Sequence, residues 1–322
     1  MGNTKLKLIH MEDIAVEEVE WLLYPLIPYG KVTILQGDPG EGKTTAVLRI
    51  ISSLTKGEPL PFETEKEAFA PVNVIYQTAE DGLGDTIKPR LLAADADCSH
   101  VLVIDDTEKA LTIMDERLEE AVVQTGARLV VLDPIQGYLG AEVDMHRANE
   151  IRPLMSRLAK MAEKHKCAIM LIGHMNKNAM GKCAYRGLGS IDITAAARSV
   201  LLCGRVKDEP EIRVICQVKN SLAPEATPIA FRLDKETGFS WIGEYEISPE
   251  ELLTGDNRGS KLREAQNFLM DFLKDGEKKS KEAEAAAREK GIRTKTLYNA
   301  KTALNIDSVK IGKEWYWMRG DE

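Results

Sequence analysis

The chain has 322 residues, of which 43% are apolar and 29% are charged, and this composition excludes collagen-like, low-complexity and largely disordered proteins. No apolar run approaches the roughly 18 residues that a bilayer crossing needs, and the acidic N-terminal segment is unlike an export signal, so we expect a cytoplasmic protein without a membrane partner. The net charge is −8, yet residues 261–320 carry 14 Lys and Arg against 9 Asp and Glu, and this basic segment allows local contact with DNA.

Short apolar runs alternate with amphipathic stretches between Lys31 and Ile242 and predict an α/β fold. The runs are nearly all apolar and rich in Val, Ile and Leu, which is typical of strands buried on both faces of a parallel sheet. After Glu211 the pattern indicates antiparallel strands at the sheet edge. The predicted strands are Val32–Leu35, Val72–Tyr76, Val101–Ile104, Leu129–Leu132, Ala168–Ile172, Val200–Cys203 and Val214–Val218, and the predicted helices are Thr44–Leu54, Asp115–Gln124 and His146–Lys166.

The C-terminal part of the chain predicts a second, smaller domain. Pro249, Gly255, Asn257 and Gly259 interrupt any periodicity, so residues 246–260 are interpreted as a linker. Residues 261–320 follow, and residues 1–245, including an extension over 1–25, would form the large domain. The small domain contains three predicted helices and a hairpin, an order that suggests a winged helix-turn-helix: Leu262–Leu273, Glu282–Lys290, Thr294–Leu304, and then Val309–Ile311 with Trp315–Trp317.

A glycine-rich motif between the first strand and the first helix predicts a site for a nucleoside triphosphate. It has the form GxxxxGK[ST] in the strand–helix context that this motif requires. The glycines let backbone N–H groups surround phosphate oxygens, and the helix N-terminus adds its positive dipole end. Lys43 would reach the β- and γ-phosphates and the Thr44 hydroxyl would bind Mg²⁺. The motif residues are Gly37, Asp38, Pro39, Gly40, Glu41, Gly42, Lys43, Thr44 and Thr45.

Two carboxylates compete for the place of the magnesium-linked acid at the end of a second buried strand. Asp105 and Asp133 each follow four apolar residues. Pro134 ends its strand directly after the acid, and a long helix-and-strand unit follows, so we favour Asp133. The alternative interpretation of Asp105 is a loop residue at a strand end.

Two further residues at strand ends are candidates for activating water and for sensing the γ-phosphate. Glu80 follows the strand Val72–Tyr76, and its alternative interpretation is a solvated loop acid. His174 follows the strand Ala168–Ile172, and an isolated histidine in that position is more often structural.

Taken in order, these residues and several short motifs resemble the RecA-like ATPases of the plasmid RepA helicase group, which includes relatives encoded by phages and mobile elements. The resemblance covers roughly residues 11–243. Besides the glycine-rich motif, it is carried by Val19-Glu-Trp21-Leu22, Ile27-Pro-Tyr-Gly30-Lys31, Ala79-Glu80-Asp81, Pro89-Arg90-Leu91, Leu132-Asp133-Pro134, Gly173-His174 with Asn176-Lys177, Tyr185-Arg186-Gly187 with Gly189-Ser190, Ala197-Arg198 and Val218-Lys219.

The resemblance implies a RecA-like core with a central, mostly parallel sheet, which uses ATP and Mg²⁺. It implies that Asp133 is the magnesium-linked acid, that Glu80 is the catalytic base and that His174 is the γ-phosphate sensor. Arg198 and Lys219 are implied as an arginine finger and a second cation offered to the neighbouring subunit's ATP. Because such a site is completed between subunits, the resemblance also implies a ring, most often a hexamer. The order Lys219-Asn-Ser-Leu departs from the family's usual Lys-Ser-Asn-Leu.

Two groups of side chains are candidates for contact with DNA. In rings of this kind, loops around the channel hold single-stranded DNA, and the stretch 176–187 offers cations and one aromatic ring for that purpose; the loop 139–145 is the alternative, although it is acidic. In the winged helix, residues 294–304 would be the recognition helix. The candidate residues are Lys177, Lys182, Tyr185 and Arg186 in the first group and Arg293, Lys295 and Lys301 in the second.

Three functions are compatible with these residues. The first is a replicative helicase-like ATPase, or a replication or recombination accessory protein, of a phage or mobile element. The second is a regulatory DNA-binding protein in which ATP sets the oligomeric state without unwinding. The third is a P-loop kinase or other phosphotransferase, which we disfavour because the sequence contains no lid-like cluster of arginines.

Overall fold

The computed structural model describes residues 8–60, 62–63, 66–175, 191–234, 236–255, 258–312 and 314–319. It divides the chain into two compact units. The first unit contains residues 1–201 and 217–226, and the second contains residues 202–216 and 227–322. Within the described residues, no helix is long and apolar enough to cross a membrane.

The first unit is built on five parallel strands. Their order across the sheet is β3, β7, β6, β4, β5, and every neighbouring pair in this set is parallel. The residues of β3, β6 and β7 are almost all buried because helices cover both faces of the sheet. The strands of this unit are the hairpin β1 (Trp21–Leu23) and β2 (Ile27–Pro28), then β3 (Val32–Gly37), β4 (Val74–Thr78), β5 (Val101–Leu102), β6 (Leu129–Asp133) and β7 (Ala168–His174).

Five α-helices of the first unit connect these strands. Helix α4 shows why they form: Ile151, Leu154, Met155, Leu158 and Met161 recur at helical spacing, and all are buried on one side of the helix. This stripe packs into the main apolar core against the strands. The helices are α1 (Lys43–Lys56), α2 (Lys88–Ala93), α3 (Glu116–Thr125), α4 (Ala148–His165) and α5 (Ile191–Ala196), with short 3-10 helices at Met11–Asp13, Cys98–His100 and Ile135–Tyr138 and one π-helical turn at Leu83–Ile87.

The second unit combines antiparallel strands with a small helical group. Strands β8 (Ser199–Val206) and β9 (Glu209–Asn220) run through the boundary between the units, and β9 pairs antiparallel with β10, which pairs antiparallel with β11. Trp317 is the largest side chain in the core of the helical group. The remaining elements are β10 (Ile229–Asp234), β11 (Gly238–Glu244), α6 (Pro249–Thr254), α7 (Arg258–Phe272), β12 (Lys278–Lys279), α8 (Ser280–Glu289), α9 (Thr294–Ala303), β13 (Ile306–Ile311) and β14 (Glu314–Arg319).

The α/β class and the large, mostly parallel sheet predicted from the sequence are confirmed, and this architecture fits a RecA-like P-loop core. The predicted linker 246–260 differs from the structure, which has helix α6 there. Ser248 and Glu251 form a reciprocal capping box at its N-terminus, and Pro249 occupies the first helical position. These capping interactions explain why so polar a segment is helical. The predicted strand Val101–Ile104 is shorter, since only Val101 and Leu102 pair with β4.

Candidate functional site

The carboxyl ends of four neighbouring parallel strands bring the candidate residues of the first unit to one edge of the sheet. The glycine-rich loop follows β3, His174 ends β7, Asp133 ends β6, and Glu80 comes two residues after β4. The register places Gly37 opposite His174. Ligand sites in open α/β sheets lie at this edge.

The loop between β3 and α1 has the backbone conformation that surrounds an anion. Gly40 and Gly42 have φ angles of 81° and 83°, which residues other than glycine rarely adopt. Gly42 caps α1 without any side-chain acceptor, so the first N–H groups of this helix are not satisfied by a capping side chain. Asp38, Pro39, Glu41 and Thr45, also predicted to be nucleotide-binding, lie in this loop and the first turn, in the arrangement that suits phosphate oxygens.

Lys43 is folded back over this loop. Its side chain is buried, and Nζ donates hydrogen bonds to the carbonyl oxygens of Gly37 at 2.9 Å and Asp38 at 2.8 Å. The ammonium group is therefore held inside the curve of the loop, where a bound phosphate chain would meet it.

Thr44, Asp133 and Tyr76 form one hydrogen-bonded group. The Thr44 hydroxyl donates to Asp133 Oδ2 at 2.7 Å, and the Tyr76 hydroxyl donates to the same oxygen at 2.8 Å. Tyr76, on β4, is fully buried. The sequence did not predict a role for Tyr76 in the site, because an aromatic residue in an apolar strand is usually a core residue. One feature could have suggested that its hydroxyl lies near the site: it is close to the end of the strand, directly before the polar Gln77.

Burial gives the Asp133 carboxylate an unusual environment. Loss of hydration raises its pKa, and the nearby carboxylate of Glu80 acts in the same direction. The hydrogen bonds from Thr44 and Tyr76 and the charge of Lys43 oppose this effect. The same burial, together with the charge and hydrogen bond of Asp133, raises the pKa of the Tyr76 hydroxyl, so Tyr76 remains a hydrogen-bond donor.

Glu80 and His174 lie together beside this group. The Glu80 Oε1 and His174 Nε2 atoms are 3.5 Å apart. The loop that carries Glu80 is fixed on both sides: the Ala79 N–H donates to the carbonyl oxygen of Asp133 at 3.0 Å, and Arg90 pairs with Asp81 at 3.1 Å. The loop is thus anchored at the sheet edge, while the Glu80 side chain itself is 61% exposed.

The alternative acid, Asp105, has a different environment. It follows the edge strand β5, and its carboxylate accepts hydrogen bonds from the backbone and the hydroxyl of Thr107 at 3.0 and 2.7 Å. These bonds lower its pKa. Asp105 is therefore part of a local turn, whereas Asp133 contacts Thr44.

Arg198 and Lys219 form a second cationic group. The Arg198 N–H donates to the carbonyl oxygen of Val32 at 3.0 Å, while its own carbonyl oxygen accepts from Ser221 at 3.0 Å, and its side chain is exposed. Lys219 Nζ donates to three carbonyl oxygens at the end of α5, those of Thr194, Ala195 and Ala197, at 3.0, 3.0 and 2.8 Å. Burial and then the charge of Arg198 lower the pKa of Lys219.

The residues predicted to bind DNA fall into two groups. Lys177, Lys182, Tyr185 and Arg186 lie outside the described residues. Arg293 and Lys295 are exposed at the start of α9. Lys301, on the same helix, has its Nζ 5.7 Å from the centre of the Trp317 ring.

The residues at the sheet edge fit ATP and Mg²⁺. A hydroxyl oxygen and a carboxylate oxygen 2.7 Å apart are hard oxygen ligands of the kind that Mg²⁺ uses beside phosphates. The buried Lys43 ammonium and the uncapped start of α1 supply the positive charge that a triphosphate requires.

Comparison with known proteins gives three findings. A family model described as AAA domain matches residues 6–180. DNA repair protein RadA of Halalkalibacterium halodurans is 25% identical over 168 residues, which cover 51% of this chain and 32% of that protein. DNA repair protein RadA of Mycobacterium tuberculosis is 26% identical over 165 residues, with coverage of 51% and 31%.

A solved structure, the ATPase Domain of G40P, superimposes with a TM-score of 0.48 and 15% sequence identity, over 67% of this chain and 85% of that one. The chain spans about a third of the length of the curated relatives that it matches.

Proposed function

Because the chain belongs to the AAA domain family, whose model matches more than half of its length, we propose that it is a RecA-like ring ATPase, similar to the plasmid RepA group, that hydrolyses ATP with Mg²⁺ and acts on DNA. The observation that carries this proposal is the 2.7 Å contact between Thr44 and Asp133 beside the buried Lys43. That arrangement matches the needs of phosphoryl transfer, in which positioning and charge stabilisation supply most of the catalysis.

Each residue at the sheet edge has a role in this proposal. Thr44 and Asp133 would hold Mg²⁺, which would supply positive charge to the phosphates. Lys43 Nζ exchanges its two carbonyl acceptors for phosphate oxygens. Glu80 orients a water molecule and accepts its proton as the water oxygen bonds to the γ-phosphorus and the bond to the β-phosphate oxygen breaks. His174, next to Glu80, senses whether the γ-phosphate is present.

Two cations complete the site of a neighbouring subunit in this proposal. The Arg198 side chain is exposed and its backbone is fixed, which is the arrangement that a trans-acting arginine requires. Such an arginine can accelerate phosphoryl transfer by about a thousandfold or more. Lys219 is the second cation. The proposal therefore includes an oligomer in a closed ring, and the resemblance to the RepA group makes a hexamer the proposed size.

DNA is the proposed substrate for two reasons. The RadA relatives are DNA repair proteins by name, and the second unit has the element order of a winged helix. That order is α7, β12, α8, α9, β13, β14, with β14 between β12 and β13 in the sheet. Arg293 and Lys295 are exposed on α9, the helix that would enter a major groove.

The direct test is ATP hydrolysis with and without single-stranded DNA. We expect DNA to stimulate hydrolysis, and Lys43→Ala to lower the rate by about a hundredfold or more, because it removes a preorganised cation from the phosphates. The control is Lys56→Ala, at the last residue of the same helix and 13 positions away. Equal rates for the two variants would contradict the proposed site.

The same experiment separates the second candidate, a regulatory DNA-binding ATPase. The exposed Arg293 and Lys295 on α9 favour this alternative. It predicts hydrolysis that is indifferent to single-stranded DNA, together with sequence-specific binding of duplex DNA that is lost in the double variant Arg293→Ala, Lys295→Ala. DNA-stimulated turnover and strand displacement would instead support the helicase-like function.

A further inference from the structure

The segment of residues 8–20 exposes an unusual combination of apolar and acidic side chains. Val16 is 98% exposed, and six large apolar side chains of this segment are at least 39% exposed. Its carboxylates, apart from Glu20, form no ion pair among the described residues. The exposed apolar residues are Leu8, Ile9, Met11, Ile14, Val16 and Val19, and the acids are Glu12, Asp13, Glu17, Glu18 and Glu20. Exposed apolar side chains in this density indicate a binding segment.

A groove between α3 and α4 has the opposite charge. Its volume is about 530 Å³. Its lining carries a net positive charge, since three cations outnumber one carboxylate. The lining residues are Met114, Pro153, Met161, Ser156, Arg157, Lys160, Lys164 and Glu119. The apolar side includes Met114, which is half exposed.

The cations of this groove differ in how far they are already paired. Lys164 and His165 both contact Glu119 Oε1 at 2.8 Å, and Arg157 donates to a backbone oxygen of Asp115 at 3.3 Å. Lys160 is exposed and has no ion pair among the described residues. The groove therefore keeps cationic hydrogen-bond donors available next to an apolar floor.

We propose that this groove binds residues 8–16 of a second copy of the chain. The groove offers methionine and proline surface next to cations, and the segment offers aliphatic side chains next to carboxylates, so both the apolar and the charged parts are complementary. DNA, which would also be attracted by the cations, supplies no aliphatic surface to cover the exposed Met114 and Pro153.

The chain's own residues 8–16 are exposed and do not line its groove, so we assign the groove to a second copy. Residues 17–20 lie against Tyr29, Lys31 and Glu163 of their own chain, and Glu20 pairs with Arg128 at 3.5 Å. The base of the segment is thus fixed, while residues 8–16 remain exposed. Fully extended, the nine residues 8–16 span on the order of 30 Å, which is the length available to reach a neighbour.

The test uses a protein from which residues 8–18 are deleted and a fluorescent peptide with the sequence of residues 8–20. We expect the peptide to bind the deletion protein, and the double variant Arg157→Glu, Lys160→Glu of that protein to bind at least tenfold more weakly. Lys281→Glu, at an exposed lysine outside the groove, should change the affinity less than twofold. A peptide carrying Ile14→Ser and Val16→Ser should bind at least fivefold more weakly.

The full chain tests whether the exchange occurs between copies. Light scattering should show that the full chain forms an oligomer. The measured mass should be smaller for the deletion protein and for the Arg157→Glu, Lys160→Glu variant. An unchanged assembly would overturn the proposal, and so would a monomer whose residues 8–16 are protected from protease, since its own segment would then fill the groove. Loss of DNA binding in the charge-reversal variant with assembly intact would assign the groove to DNA.

The inference does not rest on ATP hydrolysis. Nucleotide binding is measured for every variant. A protein that binds no nucleotide, but whose N-terminal segment still binds the groove of a second copy, would contradict the proposed function and leave this inference intact.

Discussion

Asp133 combines a costly environment with a required charge. Burial favours its neutral form, yet the proposed magnesium ligand is the ionised form. Its carboxylate accepts hydrogen bonds from Thr44 and Tyr76 through the same oxygen. An amide oxygen in this position could accept both bonds without carrying a charge.

We expect Asp133→Asn to raise the thermal stability of the nucleotide-free protein while it abolishes magnesium-dependent hydrolysis. A group whose pKa is raised on folding stabilises the protein below its unfolded pKa, and this stabilisation is lost as pH rises through the folded pKa. The advantage of the variant should therefore be small below about pH 4, the ordinary range of an Asp carboxyl, and grow as the pH rises through the folded pKa. Each 1 kcal/mol corresponds to a Tm change of about 2–4 °C. A lower Tm for Asp133→Asn at pH 7 would contradict the inferred cost of burial.

Among single residues, the sequence predicted those that belong to a recognisable motif, such as Lys43 and Thr44. It did not predict Tyr76, which donates a hydrogen bond to Asp133. The spacing of Lys43 and Thr44 follows from the loop, and Asp133 was favoured over Asp105 because Pro134 ends the strand. Tyr76 belongs to no such motif. Its hydroxyl contributes to the site only because β4 lies beside β6 in the sheet, where it can donate to the Asp133 carboxylate. Contacts between neighbouring strands depend on sheet order, which local patterns do not specify.

Helix ends give a test at the scale of single elements. Helices α1 and α3 both end at a glycine in the left-handed conformation, Gly57 with φ 71° and Gly126 with φ 62°. A Cβ atom at Gly126 would meet open space, whereas one at Gly57 would lie 2.0 Å from the carbonyl oxygen of Phe69. The two positions share the backbone strain and differ in the steric clash.

We expect Gly126→Ala to cost about 1–2 kcal/mol of unfolding free energy, the price of the left-handed conformation alone. Gly57→Ala should cost about 1–3 kcal/mol more, because the segment after α1 must move away. Urea unfolding of the two variants measures the difference. Equal losses of unfolding free energy in the two variants would show that the backbone around Phe69 moves away from the new Cβ atom at no cost.

The elements most visible in the sequence are those with many apolar residues in a row. Strands β6 and β7 and helix α4 were predicted within one or two residues at most of their ends, because the sheet and its covering helices bury these residues continuously. The hairpin of β1 and β2 and the one-and-a-half-turn helix α2 were missed. They are too short for any periodicity to develop, and tertiary contacts determine them.

At the scale of the whole molecule, the proposed sharing of a site between subunits gives a mixing experiment. Arg198→Ala should leave ATP binding nearly unchanged and slow hydrolysis by about a thousandfold, as expected when an arginine finger is lost. Glu80→Gln should also be inactive, because its own site lacks the base. Mixed oligomers of the two variants contain interfaces with an intact Glu80 and an intact Arg198, so hydrolysis should partly recover. Activity that stays absent in every mixture would contradict the trans role.

The domain organisation depends on long-range pairing that the sequence does not display. The predicted domains, 1–245 and 261–320, follow composition along the chain, whereas the compact units of the structure exchange parts of β8 and β9. A contiguous sequence pattern cannot indicate that residues 217–226 belong with the first unit and residues 202–216 with the second. The predicted winged helix and its contacts with DNA remain predictions.

The three carbonyl oxygens that hold Lys219 link this cation to the end of α5. If the ammonium moves to the nucleotide of an adjacent subunit, that end of α5 loses these three hydrogen bonds. In the sequence, α5 follows directly after residues 176–190, which carry the predicted contacts with single-stranded DNA. Nucleotide binding or hydrolysis in one subunit would then shift the DNA-contacting residues of its neighbour.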